Sequence, residues 1–166
     1  MKIRYLRPND RAACLAVFDG NAPEYFHPSE RAAFADCLDS DDYRPPRLRG
    51  AGGPKGMFYV VEDDDEIIGC GGWYLDGDVA VLSWGMVERS SHRQGIGRFL
   101  LRERLNEIRL DPRIKSVRVR TTAPVRGFFE REGFRGGAEP VPGLVDEVPL
   151  VELNLMLPSE EGTSAP

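Results

Sequence analysis

No stretch of this 166-residue chain approaches the roughly 18 consecutive apolar residues of a membrane-spanning helix. The N-terminal run Met1-Lys2-Ile3-Arg4-Tyr5-Leu6-Arg7-Pro8 also lacks the apolar region of a secretion signal, so a cytoplasmic location and no membrane partner are expected. Cysteine is scarce: Cys14, Cys37 and Cys70 are odd in number, lack metal-ligand spacing and lie among apolar neighbours. They exclude a disulfide framework, and they are expected to be reduced, buried and metal-free. There is no excess of basic charge. The net charge of −5 argues against nucleic acid as a partner and mildly favours a cationic one. No Gly-Lys-Ser/Thr follows any glycine-rich turn, which excludes a phosphate-binding loop of that type.

What is present suits one soluble domain with a substantial core: 41% of residues are hydrophobic and 30% are charged. The expected domain spans 1–158, and the polar, acidic stretch 159–166 reads as a flexible tail. Alternation predicts a first strand over Lys2–Arg7, and Pro8-Asn9-Asp10 starts a short helix over Ala12–Phe18. Pro28-Ser29-Glu30 opens a second helix with the apolar stripe Ala33, Phe34, Cys37 and Leu38. Residues 44–56 hold prolines, glycines and basic residues but no acid. They read as a long loop, either a solvated insertion or a lid over an anionic ligand.

Strands are predicted over Met57–Glu62, Glu66–Leu75 and Val79–Val87, joined by turns at Asp63-Asp64-Asp65 and Asp76-Gly77. Gly69, Gly71 and Gly72 suggest a bulge or close backbone approach within the middle strand. A helix from about Gly95 to Arg109 buries Ile96, Phe99, Leu100, Leu101, Leu105 and Ile108. Ser116–Thr121 then alternates as a strand entered in parallel. Pro124–Glu132 forms a helix closed by Gly133, and Val148–Leu157 is the last strand.

The segment Ser90-Ser91-His92-Arg93-Gln94-Gly95-Ile96-Gly97-Arg98 carries the chemistry. Two glycines separated by one residue stand where the long helix begins. Glycine lets a ligand approach the backbone. The first helical turn offers free N–H groups and the positive end of the dipole, which makes a phosphate cradle. Arg93 and Arg98 flank it. A dinucleotide-binding turn does not fit, because Leu100 stands where a third glycine is needed.

His92-Arg93-Gln94-Gly95-Ile96-Gly97 resembles the pyrophosphate motif of the GNAT acetyltransferase superfamily, Gln/Arg-x-x-Gly-x-Gly/Ala, with His92 departing at the first position. Phe128-Phe129-Glu130-Arg131-Glu132-Gly133-Phe134 looks like the family's Tyr-Glu-Lys-x-Gly-Phe helix end. The order β-α-α-β-β-β-α-β-α-β-β matches over residues 1–157. Uncharacterised bacterial members with a segment like Pro23-Glu24-Tyr25-Phe26 resemble the chain more closely.

This likeness implies an α/β (α+β) GNAT fold. Its mostly antiparallel sheet would have six or seven strands with a splayed parallel pair, flanked by four helices. It implies acetyl-CoA as acyl donor and a primary amine as acceptor. Cofactor contacts are expected from Met86, Val87, Arg93, Gln94, Gly95, Ile96, Gly97, Arg98 and Phe129, with the strand backbone at Gly85, Met86 and Val87 exposed to the pantetheine arm.

The Val87 N–H would stabilise the acyl oxygen. The family's acid, a tyrosine, is replaced by Phe129, its asparagine by Thr122 and its strand glutamate by Val81. A thiol of pKa about 8.5 is a tolerable leaving group without that acid. Glu24 is the first choice of base, Tyr25 and Phe26 could wall the acceptor, and His92 reads as structural. The reading is therefore a small-amine N-acetyltransferase working in a ternary complex. A non-catalytic acyl-CoA sensor and a protein or peptide N-acetyltransferase are the alternatives. A cationic amine suits the charge, and a homodimer is left open.

Overall fold

The computed structural model describes residues 1–43, 56–143 and 148–159. One six-stranded sheet runs in chain order: β1 (Lys2–Tyr5), β2 (Gly56–Asp63), β3 (Glu66–Asp76), β4 (Val79–Val87), β5 (Ser116–Thr121) and β6 (Val151–Met156). Every neighbouring pair is antiparallel except β4 and β5. The helices are α1 (Arg11–Asn21), α2 (Arg31–Asp39), α3 (Ile96–Arg109) and α4 (Arg126–Arg131). This is the mixed sheet with one parallel pair and four helices that the sequence predicts.

Local chemistry explains the connections. Asp64 and Asp65 both hold positive φ, 46° and 63°, which matches the twist a two-residue hairpin needs between β2 and β3. The crossover from β4 to the parallel β5 is made by α3, as a parallel pair requires. His27 caps the turn before α2: its Nδ1 accepts from the Ser29 N–H at 3.2 Å, and its own N–H donates to Glu30 Oε2 at 2.8 Å.

Two buried clusters sit on the two faces of the sheet. Leu100, Leu101, Leu105 and Ile108 of α3 pack with Tyr59, Trp73, Val117, Phe129 and Phe134. Cys14 and Phe18 of α1 and Phe34 of α2 pack with Phe58, Cys70 and Met86. Burying each large apolar side chain contributes about 1.5–3 kcal/mol. At the sheet edge, Arg4 of β1 pairs with Asp10 at 2.7 Å and with Glu62 of β2. The two cations Arg4 and Lys2 hold the Glu62 carboxyl down to about 2.

Some boundaries differ from expectation. β1 stops at Tyr5, because Pro8 starts a 3-10 turn. The first helix runs Arg11–Asn21 rather than Ala12–Phe18. Pro124 lies in a 3-10 turn, and α4 begins only at Arg126. The last strand begins at Val151 rather than Val148. Among the described residues before it there are isolated bridges, Arg135 to Asn154 and Val141 to Leu150, and no further strand. The predicted loop lies outside the described residues except Gly56, which opens β2, and the predicted tail lies outside them except Ser159.

Candidate active site

β4 changes character midway. Val79–Val81 pair with Ser116–Arg118 of β5, and the parallel register ends there. Against β3, Cys70 faces Met86 and Gly72 faces Ser83, so Gly71 alone opposes Trp84 and Gly85. This is a β-bulge, which bends the bulged strand and ends regular pairing. Trp84 sits at φ 50°, where a non-glycine residue is held at a cost of about 1–2 kcal/mol. Its ring is fixed by Phe34 at 5.1 Å, Phe26 at 6.2 Å and Phe18 at 6.5 Å. Gly85 is exposed.

Beyond the bulge, Val87 faces Gly69 between the Cys70–Met86 pair and the Glu88 N–H to Ile68 carbonyl bond of 2.8 Å. Antiparallel bonding alternates, so the Val87 N–H and C=O point away from β3, toward the side that β5 does not reach. The carbonyl accepts two hydrogen bonds, from Asn21 Nδ2 at 2.9 Å and His92 Nε2 at 2.8 Å. A carbonyl only accepts, so Nε2 of His92 carries a proton. Asn21 is 2% exposed and also donates to the Val17 carbonyl at 2.8 Å.

The glycine motif follows directly. A 3-10 turn over Arg89–Ser91 leads to His92, Arg93 at φ 61° and Gly95 at φ 82°, the N-cap of α3. No side chain caps α3. Its first-turn N–H groups are therefore available to an anion, with the dipole in support. A Cβ on Gly95 would meet nothing within 4 Å, so the turn is open to a ligand. A Cβ on Gly97 would lie 3.8 Å from the Phe128 ring and from Val87 Cγ2, which places the motif and the strand end around one space. An elongated anion that carries a pyrophosphate and an acyl arm fits this arrangement.

The other expected residues fall into place unevenly. Arg93 is exposed and makes no ion pair among the described residues. Arg98 Nε instead lies 2.6 Å from Glu132 Oε1. Gln94 donates to the Ser90 carbonyl at 3.3 Å. Ile96 and Met86 are buried, so only their backbones can face a ligand. Glu24 is exposed and paired with Arg89 near the strand end. The Tyr25 ring stands edge-on to His92 at 5.3 Å, while Phe26 packs on Phe18 and Trp84.

Phe129 supplies none of the atoms nearest to a Cβ on Gly97. It is 8% exposed, within the α3-side core against Phe134, and the Phe128 ring stands there instead. Both follow from α4 placing successive side chains on different faces.

Asn21, Phe128 and Arg104 escaped the sequence reading. Arg104 lies four residues after Leu100 and four before Ile108, both buried, so its spacing alone put it on the inner face of α3. Asn21 lies four residues after buried Val17 on α1. The bulge was foreshadowed by Gly71, but the positive φ at Trp84 left no sequence mark.

Residues 54–136, half of the chain, match the family described as acetyltransferase (GNAT) domain. No curated protein matches by sequence. Solved structures share the fold. A protein assigned to the GNAT acetyltransferases from Desulfovibrio desulfuricans superposes with a TM-score of 0.73 at 22% identity, covering 93% of this chain and 98% of that one. The ribosomal-protein-S18-alanine N-acetyltransferase of Escherichia coli gives 0.71 at 16% identity, with 99% and 98% covered. An aminoglycoside 6′-N-acetyltransferase complexed with coenzyme A gives 0.70 at 14% identity, with 95% and 98% covered.

Proposed function

Because the chain belongs to the GNAT acetyltransferase family and is an N-acetyltransferase, we propose that it acetylates a primary amine of a small molecule, with acetyl-CoA as donor, in a ternary complex. The observation that carries this reading is the meeting of an uncapped helix N-terminus and an outward strand N–H around Gly97.

When bound, the donor supplies a thioester: the amine nitrogen bonds to the carbonyl carbon, the carbon–sulfur bond breaks, and the nitrogen loses a proton. The first-turn N–H groups of α3 hold the pyrophosphate, and Arg93 adds a charge-assisted bond. The Val87 N–H donates to the acyl oxygen. Asn21 and His92 hold the Val87 carbonyl, and in the extended strand the Val87 N–H points to the same side as that carbonyl. Glu24 and Tyr25 stand on the acceptor side of the strand end, where Glu24 would take the amine proton on leaving Arg89. The acceptor is small and cationic in this reading. The net charge favours that, and one structural neighbour acts on an aminoglycoside by its name. The location proposed is the cytoplasm. No helix among the described residues is long and apolar enough to cross a membrane.

Calorimetry with acetyl-CoA, then thiol release across polyamines, aminoglycosides and peptides with free N-termini, tests the reading. Binding and turnover with a small cationic amine is expected. Turnover of peptides alone would replace the acceptor class, and failure to bind acetyl-CoA would remove the donor assignment.

A further inference from the structure

Among the described residues, one buried charge has no counter-charge. Arg104 of α3 is 3% exposed, and it makes no ion pair among the described residues. A buried cation left unpaired is costly, so its retention calls for a reason. Its Nη1 donates to the Gly72 carbonyl at 3.0 Å and its Nε to the Leu100 carbonyl at 3.4 Å.

The bulge makes room for it. A Cβ on Gly71 would lie 3.1 Å from Nη1, and one on Gly85 would lie 2.9 Å from Nη2. Nη2 thus abuts the exposed Gly85 and donates to no described residue. The titratable groups around the guanidinium are Tyr59 of β2 and Cys70 of β3. Burial pushes the Tyr59 hydroxyl up, and the Cys70 thiol is pushed up by its hydrogen bond with Cys14 and by burial, so both stay neutral at neutral pH. Burial lowers Arg104 itself to about 10, and it stays charged at neutral pH.

Gly85 and Val87 lie on the same face of β4, two residues or about 7 Å apart along the strand. The charge therefore lies close to where the acyl oxygen and the sulfur would stand. The residue at the family's proton-donor position, Phe129, has no proton to give.

We infer that Arg104 is a positioning residue that supplies a fixed positive charge in place of the missing acid, favouring negative charge on the donor's sulfur from beneath the bulge. This rests on the function proposed above. No proton moves from Arg104: the carbon–sulfur bond breaks, its electron pair stays on sulfur, and the buried cation stabilises that charge. At such a distance and an effective dielectric near 20, a bound thiol should lose its proton about one to two pH units below its ordinary value of about 8.5.

The test is the thiol titration of coenzyme A bound to the protein, followed by thiolate ultraviolet absorbance, in the parent, Arg104→Lys and Arg104→Gln. Expected is a midpoint about one to two units below free coenzyme A in the parent, largely kept in Arg104→Lys and lost in Arg104→Gln. A parent midpoint equal to that of free coenzyme A overturns the inference without any variant, even if Arg104→Gln does not fold. The same midpoint in a folded Arg104→Gln as in the parent also overturns it and leaves Arg104 as a brace for the bulge. A parent that binds no coenzyme A overturns the proposed function and this inference together. Binding with an unshifted midpoint overturns this inference alone.

Discussion

The two ends of β4 share one strand and do opposite things. At the Val79–Val81 end the strand is paired on both sides, against Asp76–Tyr74 of β3 and Ser116–Arg118 of β5, and Ala80 is fully buried. At the Ser83–Val87 end it carries an extra residue, a tryptophan at positive φ, an exposed glycine and no β5 partner. Regular pairing satisfies every backbone group and leaves nothing for a ligand. The bulge frees the Val87 N–H, and the aromatic cluster and Arg104 brace the departure from regularity. The open end carries backbone strain that the rest of the fold holds in place.

The largest expected effect comes from removing the brace. Phe34 is fully buried, and its ring is 5.1 Å from Trp84 and 5.6 Å from Phe18. Phe34→Ala should cost about 3–5 kcal/mol, lowering the melting temperature by about 10 °C. It should also weaken acetyl-CoA binding in the folded protein at low temperature, since Trp84 is then free to leave φ 50°. Val117→Ala, at the paired end, is the control: it should lower stability and leave affinity unchanged. Equal loss of affinity in both variants would erase the distinction between the ends.

Next is the motif that shares the open end. Gly97→Ala adds only ordinary 3.8 Å contacts to Phe128 and Val87, and calorimetry should find acetyl-CoA affinity nearly unchanged. Gly97→Asp puts a carboxylate at the proposed anion site. It should weaken binding about 100-fold, near 3 kcal/mol, in a folded protein. A folded Gly97→Asp protein with parental affinity would show that the N-terminus of α3 holds no phosphate.

The paired end was easier to read from sequence than the open end. The alternation in β2 to β5, the Asp76-Gly77 turn and the Gly95-x-Gly97 helix start each follow from local chemistry, and local chemistry is what a sequence displays. Trp84 at positive φ is imposed by packing against Phe26 and Phe34, from a distant segment. The pairing of Arg98 with Glu132 arises because α3 and the end of α4 meet, which no spacing within either predicts. Phe128, to which the sequence reading gave no role, is the ring nearest Gly97, because successive residues of α4 face different sides. Arg104 was legible, since the period of four from Leu100 to Ile108 required it inside.

A smaller effect separates the scaffold of the open end from its ligand contacts. Asn21 and His92 both donate to the Val87 carbonyl. Asn21→Ala removes one donor there and another from the Val17 carbonyl, inside the protein. The expected cost is about 1–3 kcal/mol in denaturant titration. His92→Ala, with its ring only partly buried, should cost less. Turnover number should fall in both while the affinity for coenzyme A changes little, because the pyrophosphate site is untouched. A loss confined to affinity would mean that the carbonyl clamp belongs to the donor site and not to the acyl end.

The smallest effects concern the two arginines of the motif, which the sequence treats alike and the structure does not. Arg93 sits at φ 61° in the exposed turn without an ion pair among the described residues. Arg98, 56% exposed, is held by Glu132, which also takes Arg102 at 3.2 Å. Arg93→Ala should therefore lower coenzyme A affinity about tenfold, or 1.4 kcal/mol, and leave stability within about 0.5 kcal/mol. Arg98→Ala should do the reverse. It breaks a pair exposed on the arginine side only, and because Arg102 still holds Glu132 the stability cost is about 1 kcal/mol, while affinity changes by less than about threefold. Raising the salt concentration sharpens the contrast, because it screens an exposed phosphate contact and a surface pair alike but registers in different measurements, the first in calorimetry and the second in melting. If Arg98→Ala costs as much affinity as Arg93→Ala, then Arg98 abandons Glu132 for the ligand. The open end of β4 would then be finished by the donor's arrival and not by the fold alone.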